Sequence, residues 1–117
     1  MVEFLKELGK ATYKAAQLQN TVFVFASGEV PNHYYRASLE QSPIDIMPPE
    51  FTLNFLFPKT GVPEIYAPWP FHLQSSFHWD GKLDFVRVRD QNPEIHHVKV
   101  HHAHDADGAK VASSGSG

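Results

Sequence analysis

With 117 residues, 42% of them apolar and 13% aromatic, the chain has the composition of one ordered soluble domain able to bury a single core. A net charge of −3 provides no broad basic footprint, which argues against nucleic acid as a partner, and the lack of cysteine excludes disulfides, thiolate metal sites and cysteine nucleophiles. No apolar run approaches the ~20 residues that cross a bilayer, and the opening MVEFLKELGK lacks the apolar stretch of a signal peptide, so no membrane association and a cytoplasmic location are expected.

In chain order, residues 2–19 carry Phe4, Leu8, Ala11, Ala15 and Leu18 at spacings of three and four, with Lys6, Lys10 and Lys14 on another face. That period predicts an amphipathic helix, with Asn20 as its stop. TVFVFAS (21–27) is β-branched and aromatic at both parities, as in a central strand covered on both faces. PNHYYRASLEQ (31–41) reads as a short second helix with Pro31 in its first turn. The prolines at 43, 48 and 49 make the next stretch extended.

FTLNFLF (51–57) alternates, with Phe51, Leu53, Phe55 and Phe57 on one face of a strand. PKTGVPEIYAPWP (58–70) is a stiff connection in which Ile65, Tyr66 and Trp69 read as a plug for the core or as exposed anchors. From Phe71 onward the odd-numbered apolar residues predict a hairpin turning at Trp79-Asp80-Gly81, with Gly81 in the left-handed conformation. IHHVKVHH (95–102) is the last strand, and 106–117 a flexible small-residue tail after a single domain over 1–105.

These elements predict an α+β fold in which the N-terminal helix packs on a curved, mostly antiparallel sheet of four to five strands. The outline resembles that of cystatin-like folds. Exposed strand edges in such a sheet make a homodimer plausible.

Five of the eight histidines fall between 96 and 104. Protonation of several near pH 6 would carry the net charge through zero. On a strand His96, Val98, Val100, His102 and His104 share one face, so His102 and His104 become candidate ligands, with His78 and His96 as further candidates for a shared ion. QSPIDI (41–46), QSSFHW (74–79) and EIHHV (94–98) resemble, in the same order, three segments of the α-carbonic anhydrases. The resemblance implies a zinc-dependent lyase or hydrolase with His78 and His96 as the second and third ligands and bound water as nucleophile. This sequence departs from the pattern at Ser76, where the first ligand would stand, and is less than half the length of that family's domain.

The primary functional expectation is a small non-catalytic domain that binds a protein or small molecule through Tyr34, Tyr35, Tyr66 and Trp69. Aromatic residues dominate binding energy at interfaces. No cofactor is expected on that reading; zinc belongs to the alternative.

Overall fold

The computed structural model describes residues 3–43, 49–61 and 65–102. Eight strands run through them: β1 (Phe4–Leu8), β2 (Thr12–Leu18), β3 (Thr21–Val30), β4 (Arg36–Gln41), β5 (Glu50–Pro58), β6 (Trp69–His78), β7 (Phe85–Arg89) and β8 (His96–His102). They form one curled sheet in the order β1-β5-β7-β8-β2-β3-β6, with β4 on the other side of β5. β4 and β6 approach across the open seam, where Ala37 and Leu39 meet Phe71 and Leu73 in one core cluster.

The N-terminal helix is overturned: among the described residues there is no helix, and the fold is all-β rather than α+β. The residues of the helical stripe Phe4, Leu8 and Leu18 are exposed. Of that stripe Ala15 is buried, but it shares its inward face with Gln17 and half-buried Tyr13, a period of two that a polar glutamine hides from hydrophobic counting. The chain also changes partner within the expected helix. β1 pairs with β5, whereas β2 pairs with β3 and with β8. Gly9 is the joint. Its N–H donates to Leu53 O at 3.0 Å, its carbonyl accepts from Gln91 N at 2.8 Å, and a Cβ there would stand 2.6 Å from the Phe55 ring. Leu18 and Thr21 are paired, so Asn20 ends no helix but sits in a tight turn with Gln19 at φ 56°.

The second helix is also absent. Asn32 Oδ1 accepts from Tyr34 N at 3.0 Å and its carbonyl accepts from Tyr35 N at 3.2 Å, so the segment makes a side-chain-closed turn before entering β4. The predicted strands 21–27, 51–57 and 95–102 correspond to β3, β5 and β8. β3 is central, with Val22, Val24 and Ala26 facing inward. Phe23 and Phe25 stack outside at 6.4 Å. In β5, Phe51, Leu53 and Phe55 are buried. Side chains of this size stabilise by roughly 1.5–3 kcal/mol each when fully buried.

The predicted hairpin is replaced by a crossover. Gly81 does have a positive φ of 79°, but β6 pairs with β3 along its whole length, and β7 pairs with β8 and β5. Gln17 accounts for the difference. Its Nε2 donates to Gly81 O at 2.6 Å, and its Oε1 accepts from Leu83 N at 3.0 Å, which clamps the segment onto β2. Two pairings, β2 with β8 and β5 with β7, are parallel, so the sheet is mixed. The expected tail lies outside the described residues.

Candidate functional site

The candidate metal ligands are dispersed. Alternation along β8 runs as expected: His96, Val98, Val100 and His102 are more buried than His97, Lys99 and His101. His96 and His102 nevertheless lie six residues apart, about 20 Å at the rise of a strand. His102 Nε2 donates to Leu83 O at 3.0 Å. His78 sits on the exposed outer face of β6, with Nε2 2.9 Å from Asp80 Oδ1. Gln17, the neighbour of His102, reaches β6 only through Val22, so three interstrand steps of ~4.8 Å separate the β8 and β6 histidines. His104 lies outside the described residues. Among the described residues no three His, Cys, Asp or Glu side chains come close enough to hold a metal ion. The ligand set implied by the anhydrase-like segments is thus not assembled there, with His78 facing outward and His96 inward.

His96 belongs instead to a half-buried triad centred on buried Asp90, which composition did not reveal. Asp90, 3% exposed, accepts from Tyr13 Oη at 2.6 Å, from His96 Nε2 at 3.0 and 3.1 Å, and from Asn92 N at 2.9 Å. A carboxylate only accepts, so the His96 Nε2 facing it carries its proton. The Tyr13 and His96 rings lie 5.1 Å apart at 54°. Backbone pairing between β2 and β8 covers only Ala15–Gln17 with Val100–His102. Where the two strands stop pairing, the triad joins them through side chains. Above it lies a cleft of about 500 Å³ lined by Tyr13, Lys14, His96, His97, Lys99 and His101.

Burial first, and then the hydrogen bond and negative charge of Asp90, push the Tyr13 hydroxyl far above its ordinary value of 10.0. Above pH of about 10, the unfolded chain therefore loses a proton that the folded chain keeps, and unfolding is favoured as pH rises. Urea denaturation at rising alkaline pH is expected to show a falling midpoint. Tyr13→Phe removes this proton linkage, so its midpoint should fall less steeply; equal slopes would show that Tyr13 titrates normally in the fold.

The predicted aromatic residues gather better. Tyr66 is 82% exposed, Trp69 59%, Tyr34 39% and the neighbouring Ile65 52%. The core-plug reading of the 58–70 connection therefore fails for Ile65, Tyr66 and Trp69. Tyr35 turns inward and packs on Phe55 and Phe57, with ring centroids 6.5 and 5.5 Å away. The exposed residues share one mount. Buried Asn32 donates from Nδ2 to Ile65 O at 2.9 Å while its Oδ1 holds Tyr34 N, and Ala67 N donates to Pro31 O at 2.9 Å. Val30, next to Pro31, is registered opposite Trp69. Tyr66 also lines a cavity of about 490 Å³ with Phe55, Val30 and Pro31. Asn32 was not singled out from the sequence, because its role depends on contacts across the fold.

No helix of the described residues is long and apolar enough to cross a membrane. Comparison with protein-family models, curated protein sequences and solved structures gives no match for this chain.

Proposed function

We propose that the chain is a small non-catalytic protein-binding domain, acting in the cytoplasm, whose working surface is the aromatic end formed by Tyr34, Ile65, Tyr66 and Trp69. The observation that carries this reading is the exposure of four large apolar side chains on adjoining segments that Asn32, the Ala67–Pro31 bond and the Val30–Trp69 pairing tie together. Exposed apolar groups clustered at one place mark interaction sites, whereas scattered ones do not. Tyrosine and tryptophan supply broad contact area with few rotatable bonds, and a fixed mount lowers the entropy lost on docking. The partner is a protein that offers an apolar pocket or groove to these rings.

Selection of peptides from a random displayed library against the intact protein tests the reading. Binders are expected to converge on the aromatic end. They should lose on the order of 100-fold in affinity for the Tyr66→Ser/Trp69→Ser double variant, as two hot-spot side chains would predict. The thermal midpoint of that variant should stay close to the parent's, since both rings face solvent. Binders indifferent to the double substitution would place the working surface elsewhere.

A further inference from the structure

We infer that β1 is a self-pairing edge, through which two copies of this chain join their sheets across a two-fold axis at Lys6. β1 is hydrogen-bonded to β5 alone, from Phe4 opposite Pro58 to Leu8 opposite Asn54. Among the described residues no strand pairs with its outer edge. All five residues are exposed, including Phe4 at 46%, Leu5 at 44% and Leu8 at 41%. Such an edge is a template for another strand, and natural folds usually blunt it with a charge, a bulge or a proline. Here the one cation, Lys6, reaches toward Glu40 on β4, with Nζ 3.6 Å from Oε1, and leaves the edge open.

The identity of the occupant follows from symmetry. A two-fold axis relating antiparallel neighbours stands perpendicular to the sheet, so each residue meets one of its own parity. Phe4, Lys6 and Leu8 share a face, and the two apolar residues lie equally spaced on either side of the lysine. An axis at Lys6 therefore sets Phe4 against Leu8 of the second copy, twice, and Lys6 against Lys6. Each lysine turns away from the axis, across β5, to its own Glu40, so the two ammonium groups are drawn apart rather than stacked at the seam. An axis at Leu5 would oppose Glu3 and Glu7, and an axis at Glu7 would oppose two glutamates. Like charges directly opposite destabilise a cross-strand pair. Lys6 is the centre that matches apolar to apolar on the Phe4/Leu8 face and stacks no carboxylates, with Leu5 meeting Glu7 on the other face.

A seam of five residues is small, so the association is expected to be reversible and to grow with concentration. Sedimentation of the full chain should show a monomer–dimer equilibrium. The register is read by disulfide trapping, which is clean because the chain has no cysteine. Lys6→Cys alone should form a covalent dimer on mild oxidation. Phe4→Cys and Leu8→Cys should each cross-link poorly alone and well when mixed, since facing residues of paired strands fall within disulfide reach. Leu18→Cys, exposed on another strand, gives the background rate. These positions are solvent-facing and the Lys6–Glu40 pair contributes little stability, so the variants should fold, as circular dichroism would confirm. A chain monomeric at every concentration, trapping of Lys6→Cys no faster than Leu18→Cys, or equal trapping of Phe4→Cys alone would each overturn the inference.

Discussion

Asp90→Ala is expected to lower folding stability by about 2–3 kcal/mol. The residue is buried, and its carboxylate accepts from Tyr13, His96 and the Asn92 amide. Each hydrogen bond lost costs about 1 kcal/mol, and Tyr13 and His96, partly exposed in the cleft, recover some of it from water. The effect is structural as well as local. Tyr13 is on β2 and His96 on β8, and the backbone of those strands is paired only farther along, at Ala15–Gln17. Asp90→Asn keeps the volume and part of the bonding, so it should lose less. Urea denaturation at constant slope measures both. A loss below about 1 kcal/mol for the alanine variant would mean that the triad is not what joins the two strands.

Gln17→Leu should cost about 2–4 kcal/mol, despite adding an apolar side chain at a buried position. Each backbone group left unsatisfied in the interior costs about 1–3 kcal/mol, and the substitution strands both Gly81 O and Leu83 N. Gln17→Glu separates geometry from burial: it retains an oxygen for Leu83 N but cannot donate to Gly81 O. Its stability should rise relative to the parent's as the pH is lowered and the carboxyl gains a proton. Equilibrium denaturation of the two variants, with thermal midpoints as a second readout, decides this. A Gln17→Leu protein as stable as the parent would show that the 79–84 segment is held by its own packing.

The strands with clear alternation or dense β-branching were legible: Phe51, Leu53 and Phe55 announce β5, and Val22 and Val24 announce β3. The N-terminal strands were not. Of the residues at helical spacing Phe4, Leu8 and Leu18 point to solvent and only Ala15 is buried, beside inward Gln17 and half-buried Tyr13, which the period does not include. Periodicity counts hydrophobicity, whereas strand choice here was decided by pairing with β5, β3 and β8. The aromatic end was partly legible, since Tyr34, Tyr66 and Trp69 stood out as large residues in loop-like sequence; Asn32, which ties the Tyr34 turn to Ile65, did not. Alternation also foretold that His96 and His102 share a face. It carried no information about Asp90, whose bond to Tyr13 spans 77 positions.

The parallel pairings also govern how the protein can be made. Ala15 must find Val100 and Phe51 must find Val88 before the wall is continuous. A chain emerging from the ribosome therefore carries β2 and β3 with one flank exposed until nearly all of the described sequence has been synthesised. Contacts between such distant positions make folding slow relative to a chain of local hairpins. During that interval Val22, Val24 and Phe51 have no finished interior to enter, and apolar strands exposed in this way favour aggregation.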